Sequence, residues 1–257
     1  MLWSGVSLAN PRPLPFTYQH EQLGSGQTEI EQFVDFTPVR VLSESTGNPA
    51  WYGFTQFQTE LEHGLTDRLE LGLYLTYVPS LSTGFSVGPR GSEGTGVKQR
   101  LRWQLAPAQE WPIDVSLYGE LVENDREVEV EAKVLLQRRF GPARLIANVS
   151  GEREFYFDGK HDIVLTPSAG VTVEATPMLQ PGFEWWMRAE YPEENPPHLR
   201  PFALGPQQYL GPVLLLQLGS FWWSNGVYLR VSRMDHTLAP GEAFGLIWAR
   251  TMIGIEL

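Results

Sequence analysis

The sequence predicts an all-β chain, a transmembrane antiparallel up-and-down β-barrel of about twelve strands. Three observations carry this. Apolar and polar residues alternate over stretches of about ten residues, the length a strand tilted by about 45° needs to cross hydrocarbon. Brief turns alternate with longer connections, and aromatic residues gather beside both. The composition agrees: 25 Gly and 20 Pro punctuate short elements, and only 19% of residues are charged.

Successive strand side chains point to opposite faces, so a wall between lipid and a polar lumen reads apolar, polar, apolar. Thr28 to Leu42 alternates imperfectly around Gln32 and Pro38, which leaves its facing open. Next, Trp51, Thr55, Phe57, Thr59 and Leu61 oppose Gln56, Gln58, Glu60 and Glu62, and Gly64 to Asp67 supplies a tight turn. Arg68 to Tyr77 shows the pattern best, with Leu69, Leu71, Leu73, Leu75 and Tyr77 against Arg68, Glu70, Gly72, Tyr74 and Thr76. Val97, Leu101, Trp103 and Leu105 then oppose Lys98, Arg100, Arg102 and Gln104, and Ile113, Val115, Leu117 and Leu121 oppose Asp114, Ser116, Tyr118 and Glu120. Val128, Val130, Ala132, Val134 and Leu136 face away from Glu129, Glu131, Lys133 and Gln137. Leu145, Ala147 and Val149 oppose Asn148, Ser150 and Glu152; after a loop holding His161 and Asp162, Pro167, Ala169, Val171 and Val173 oppose Thr166, Ser168, Thr172 and Glu174. Phe183, Trp185, Met187 and Ala189 oppose Glu184, Arg188 and Glu190. Gln208 to Leu218 is apolar on both faces, so its facing also stays open. Val227, Leu229 and Val231 oppose Tyr228, Arg230 and Ser232, and Ile247, Ala249, Ile253, Ile255 and Leu257 oppose Trp248, Arg250 and Glu256.

A soluble β-sandwich alternates too. Against it, one face here is almost free of charge while the other is rich in Glu, Arg and Lys. The turns near Gly64, Pro107, Gly141, Pro177 and Gly219 are brief, whereas Ser43 to Ala50, Pro79 to Thr95, Pro192 to Gly205 and Asp235 to Glu242 are longer. Outer-membrane barrels place short turns on the periplasmic side and longer loops outside. Interfacial girdles are expected from Trp103, Trp111, Trp185 and Trp223, with Phe183 and Phe221, near short turns, and from Trp51, Tyr77 and Tyr191, with Phe54, Phe155 and Phe157, near long loops. An even strand count returns both termini to the periplasmic side. Residues 28–257 form the barrel, and residues 1–27, Pro-rich and polar, form an extension that lies in the periplasm or plugs the lumen.

Other classes fall away. No apolar run approaches the roughly eighteen residues a membrane helix needs; Leu210 to Gly219 is too short. The N-terminal sixteen residues lack the basic region and apolar core of a signal peptide. A net charge of -11 without a basic stripe excludes nucleic acid as a partner. The absence of Cys excludes disulfides and thiolate metal sites. No phosphate loop or zinc-ligand spacing occurs, and no cofactor or metal is expected.

The strand pair FTQFQTELEHGLTDRLELGLYLTYV, Phe54 to Val78, with the lead-in FTYQHEQLGSGQTEIEQF, Phe16 to Phe33, resembles a loosely defined group of bacterial outer-membrane barrels that includes proteins tied to phenol-degradation pathways. The resemblance covers about a quarter of the chain and implies the fold, with passage of small hydrophobic or aromatic compounds as its functional expectation. Such barrels commonly end in an aromatic residue; here the last strand keeps its alternation but ends in Leu257.

The expected lumen carries basic Lys98, Arg100, Arg102, Arg188, Arg230 and Arg250, acidic Glu60, Glu62, Glu120, Glu129, Glu131 and Glu152, and aromatic Tyr74, Tyr118, Trp186, Tyr228 and Trp248. Separated acidic and basic walls would select small polar or zwitterionic solutes. Alternatively the charges pair across neighbouring strands and close the interior. Catalysis is not expected: His20, His63, His161, His198 and His236 fall mostly in turns or loops, and the adjacent pairs His161-Asp162 and Asp235-His236 point opposite ways on an extended chain. The leading expectation is passive or gated passage of small solutes. The alternative is a closed barrel that scaffolds another envelope protein. Outer-membrane lipid and lipopolysaccharide are the expected surroundings.

Overall fold

The computed structural model describes residues 10–40, 50–77, 96–124, 127–192, 206–232 and 245–257. Its strand segments are β1 (Thr28–Arg40), β2 (Ala50–Thr66), β3 (Leu69–Tyr77), β4 (Gly96–Gln104), β5 (Asp114–Asn124), β6 (Glu127–Phe140), β7 (Ala143–Tyr156), β8 (His161–Leu165), β9 (Ser168–Val173), β10 (Leu179–Pro192), β11 (Gln207–Leu218), β12 (Phe221–Arg230) and β13 (Ile247–Glu256). Each pairs antiparallel with its neighbours, and β13 returns to β1 in a register running from Glu29 opposite Glu256 to Phe36 opposite Ala249. Both β8 and β9 lie between β7 and β10, so they are two halves of one wall position. The result is a closed barrel of twelve positions with no open edge, the condition for carrying strands through hydrocarbon.

The outer surface is apolar: Leu73, Leu75, Leu101, Val130, Val149, Leu214, Val227 and Ile253, among others, are exposed. No helix among the described residues is long and apolar enough to cross a membrane. Thr28 and Leu257 sit at one rim, the near end, joined by a hydrogen bond from the Leu257 amide to the Thr28 carbonyl (2.9 Å). The turns between β2 and β3, β6 and β7, and β11 and β12 lie at the same end.

The structure settles the two ambiguous strands. In β1, Glu29, Glu31, Phe33, Asp35 and Thr37 are the buried, inward set, and the register shifts at Pro38. Gln32 therefore faces outward, where its amide donates to the carbonyls of Phe33 (2.9 Å) and Gln58 (2.8 Å) and its oxygen accepts from the Thr59 hydroxyl (2.7 Å). A polar side chain on the lipid face is tolerated because its groups are satisfied. In β11, Gln207, Tyr209, Val213 and Leu215 point inward and Leu210 and Leu214 outward.

One expectation is corrected. His161 and Asp162 are not loop residues; they open β8, and the connection from β7 spans only residues 157–160. The strand is hidden in the sequence because Pro167, which has no N–H to donate, interrupts it. Beside the break, the Ser150 hydroxyl donates to the Thr166 carbonyl (2.5 Å), and the Thr166 hydroxyl donates to Glu131 (3.2 Å). The expected long connections 43–50, 79–95, 192–205 and 235–242 lie almost wholly outside the described residues.

Thr59→Val alone leaves the Gln32 carbonyl oxygen unpaired on the lipid face and is expected to destabilise the barrel by about 1–3 kcal/mol, whereas Thr59→Val with Gln32→Leu is expected to be close to neutral. The temperature at which the barrel loses its SDS-resistant gel mobility reads the difference.

Candidate functional site in the barrel lumen

Residues 10–23 lie in the interior as a bent loop without a partner strand, folded back so that the Gln19 side-chain amide donates to the Asn10 side-chain oxygen (2.9 Å) and the Pro11 carbonyl (2.9 Å). Five of its backbone donors are met by side chains of the wall. The amides of Asn10, Phe16, Tyr18, His20 and Leu23 donate to Glu29 (2.9 Å), Glu184 (2.9 Å), Asn148 (2.7 Å), Gln137 (3.2 Å) and Glu70 (2.8 Å). Asn148 and Gln104 return the favour, their amides donating to the carbonyls of Tyr18 (2.8 Å) and His20 (2.9 Å). The segment leaves at the near rim, where Gly26 N donates to Gly64 O (2.8 Å) and Gly64 N donates to Gln27 O (3.0 Å). A side chain at Gly64 would place its Cβ 2.0 Å from the Gly24 carbonyl oxygen, so glycine permits this approach. Leu14 packs with Ile146, Trp186, Tyr209, Val213, Tyr228 and Trp248, and Phe16 stacks on Trp186 at 4.3 Å. This packing takes up Tyr209 and Val213 of the inner face of β11.

Beside the segment lies a buried ionic network. Arg100 donates to Glu60 (2.7 Å), to Glu70 (2.7 Å), to the Tyr74 hydroxyl (2.8 Å) and to Glu62; Arg102 donates to Glu70 (2.9 Å). Arg100 reaches past β3 to β2 because Gly72 lies between them: a Cβ there would sit 2.6 Å from both Arg100 Nε and Glu60 Oε1. From the segment, Arg12 pairs with Glu31 (3.2 Å) and stands 3.9 Å over the Tyr18 ring, whose hydroxyl lies 2.7 Å from that of Tyr74. The network thus couples the segment to four strands.

Toward the far end, Lys98 pairs with Glu120 (3.7 Å) and Lys133 with Glu131 (2.9 Å), while Arg188 pairs with Glu154 (2.7 Å), Glu190 (2.7 Å) and, more distantly, Glu152 (3.7 Å). Arg250 pairs with Asp35 (2.7 Å) and lies 3.8 Å over the Phe16 ring. Arg230 is buried, its Nε donating to the Ser232 hydroxyl (3.2 Å). Tyr118 donates to Glu120, Tyr228 to Glu184, and the Trp248 indole to Asp35 (2.7 Å). A cavity of about 160 Å³ reaches the segment from this side at Arg12, Pro15, Phe16 and Tyr18. A larger one, about 680 Å³, reaches it from the near end at Asn10, Pro11, Gln19 and Glu21. The segment stands between them.

The structure therefore puts Lys98, Arg100, Arg102, Arg188, Arg230 and Arg250, the six named glutamates and the five named aromatics on the inner face, with Arg100, Arg102, Glu60 and Glu62 fully enclosed. Of the expected girdles, Tyr77, Trp103, Trp111 and Trp223 are exposed and Tyr191 is half-buried at the far end of β10. Trp185 lies midway along β10 rather than beside a turn, half-buried, with its indole donating to Gln208 (3.3 Å). The side chain of Trp51 falls outside the described residues, as do His198, Asp235 and His236. Sequence reasoning missed Glu29, Glu31, Asp35, Glu70, Glu154 and Glu184 as site acids, although Glu29, Glu31 and Asp35 share one face of β1. It also missed Arg12, which no periodicity marks.

His20 is buried in the segment, with Nδ1 2.8 Å from the Ser116 hydroxyl, a contact that sequence spacing cannot show. The Asp114 carboxylate accepts from the Gln109 amide, and His20 Nε2 has no hydrogen-bond partner among the described residues. The contact ties the segment to β5. Burial lowers the His20 imidazole below its ordinary value, with Arg102 assisting and Asp114 and Glu21 opposing. Burial pushes the Glu21 carboxyl up, but Arg144 and the hydrogen bonds from Arg139 and Gln137 outweigh it and hold Glu21 below its ordinary value.

The barrel is similar in fold to an outer-membrane channel from Pseudomonas putida F1, with 10% identity over 96% of this chain and 100% of that one and a TM-score of 0.59. It is also similar to the NanC porin, with 9% identity over 90% of this chain and 98% of that one and a TM-score of 0.53. At such identity the likeness shows the fold. No protein-family model matches the chain, and no curated protein matches it.

Arg100→Met leaves Glu60, Glu62 and Glu70 without their shared cation and is expected to cost about 3–5 kcal/mol, part of it recovered when Glu62→Gln is added; thermal loss of gel mobility checks this. Docking of the segment is also expected to depend on pH. Because His20 is neutral when docked, its contribution is complete above about pH 6.5 and declines as pH falls toward its lowered docked value. Glu21, held low, keeps its contribution until pH drops below the ordinary carboxylate range. Proteolysis between residues 10 and 23 should therefore be faster at pH 5 than at pH 7.5, and His20→Gln should flatten the change.

Proposed function

We propose that this chain is an outer-membrane channel for small solutes, with both termini periplasmic and with residues 10–23 as its gate. The observation that carries the reading is the manner in which the segment is held. It lies between two cavities, fixed by side-chain hydrogen bonds and ion pairs and never woven into the sheet, so it can leave without breaking the wall. Similar barrels include a channel and a porin. The far cavity joins aromatic walls, Phe16, Tyr118, Trp186 and Trp248, to charged Lys98, Glu120 and Arg188, which suits a small solute with an apolar body and a charged end.

A second reading rests on the enclosure of Arg100 and Arg102. If that network never opens, the barrel is a closed scaffold for another envelope protein.

The chain has no Cys, so an introduced pair reports alone. A Cβ at Gly170 would lie 2.6 Å from Leu14 Cδ1, which places Leu14→Cys and Gly170→Cys within reach of a disulfide or a short bismaleimide. In planar bilayers the reduced double variant is expected to show discrete conductance steps and the cross-linked form none. Silence in both states, with a stoichiometric partner co-purifying, favours the scaffold.

A further inference from the structure

The far mouth of the barrel stacks carboxylates in register. Glu129 of β6 is opposite Glu154 of β7, which is opposite Asp162 of β8. One level deeper, Glu120 of β5 is opposite Glu131 of β6, which is opposite Glu152 of β7. Side chains directly opposite on neighbouring strands begin about 4.5–5.5 Å apart, and like charges there repel. Lys98, Lys133 and Arg188 offset part of this charge, leaving carboxylates in excess. Glu154 is held from two sides, by Arg188 (2.7 Å) and by the Tyr156 hydroxyl (2.6 Å).

Within the stack, one carboxylate oxygen from each of Glu129, Glu152 and Glu154 lies within 4.8 Å of the others. Oxygens bound to one calcium ion at about 2.3–2.6 Å are at most about 5 Å apart. The second observation comes from a different wall. A cavity of about 70 Å³ adjoins Glu129 and Glu152, with Lys98 and Arg188 also in its wall, and is lined across from them by Gln56 of β2 and Thr76 of β3. Gln56 is 1% exposed and Thr76 3%, yet both amide atoms of Gln56 and the Thr76 hydroxyl have no hydrogen-bond partner among the described residues. Glu152 Oε1, on a side chain 9% exposed, likewise accepts no hydrogen bond, although Arg188 stands 3.7 Å away. Buried polar groups in folded proteins are nearly always satisfied, so groups aimed unpaired into a cavity beside clustered carboxylates mark a missing polar occupant.

We propose that Glu129, Glu152 and Glu154 bind a calcium ion at the far mouth, with Gln56 and Thr76 bonding to water that the ion carries. Six to eight oxygens suit calcium, and three carboxylates with bound water supply them. Magnesium, which demands a tighter octahedron and gives up water reluctantly, fits this open arrangement less well. The site does not depend on whether the lumen conducts.

The test uses the full chain, refolded in detergent and freed of divalent ions. Terbium should give luminescence sensitised through Tyr156, displaced by calcium at lower concentration than by magnesium or methylammonium. Calcium should also raise the temperature at which SDS-resistant mobility is lost. Glu129→Gln with Glu152→Gln should weaken calcium binding at least ten-fold, with Glu152→Gln alone as the milder variant, while Glu110→Gln, in a distant turn, should leave it unchanged. Without calcium the double variant should be more heat-resistant than the parent, because the repulsion is gone. Absence of a calcium response at millimolar concentration, unchanged binding in the double variant, or displacement by methylammonium ahead of calcium would overturn the proposal.

Discussion

Closure of the sheet is the constraint on which the rest depends. In hydrocarbon no water meets an unpaired backbone group, so each wall position must pair on both sides, and the pairing of β13 with β1 completes that ring. Closure also divides every strand into a lipid face and a lumen face. Most long charged side chains go inward, with Arg138 and Arg153 as exposed exceptions near strand ends, and once inside they need partners. The interior is therefore a problem in polar satisfaction, and residues 10–23 are part of its solution. Glu29, Glu70, Glu184, Gln137 and Asn148 accept from the segment's amides, and Arg12 brings a cation to Glu31.

The ionic network follows the same logic. Arg100 lies beside Glu120 and Gly72 in register, yet it bonds to Glu60, Glu62 and Glu70. The absent side chain at Gly72 opens a path across β3. A buried pair is stable only when geometry and extra hydrogen bonds offset the loss of water, and the fork of a guanidinium meeting several carboxylates provides both. Nearer the far mouth the balance is poorer. There Glu129, Glu152 and Glu154 crowd with fewer cations, and Gln56 and Thr76 on the facing wall line a cavity. The two regions differ in kind, one closed by the protein's own charges and one with carboxylates around a cavity.

The fold was legible in the sequence because period two is a direct image of the wall. Leu69 to Tyr77 shows it without exception, while Arg68 lies exposed in the turn before it. It failed where a third body intrudes. The inner face of β11 reads apolar because Tyr209 and Val213 pack with Leu14 and Leu215 packs with Phe33, Trp222 and Met252, contacts that no local pattern records. Gln32 and Phe33 look inverted in β1 because Thr59 satisfies the one and Tyr74 packs near the other. Pro167 splits a strand position into β8 and β9 and hides the first half. Of the lumen, the charged residues were legible individually and their partners were not, since Arg100 skips a strand and Arg12 comes from outside the sheet. The choice between a periplasmic and a luminal extension could not be made from composition, because only the wall's side chains reveal what fills them.

Amide hydrogen exchange of the folded barrel tests this account most directly. If the segment is held by the wall, the amides of Phe16, Tyr18, His20 and Leu23 should be protected to a degree approaching those of the flanking strands, while the exposed Ser25 amide exchanges faster. Exchange of all four at the rate of an unfolded peptide, in a barrel whose strands remain protected, would contradict it.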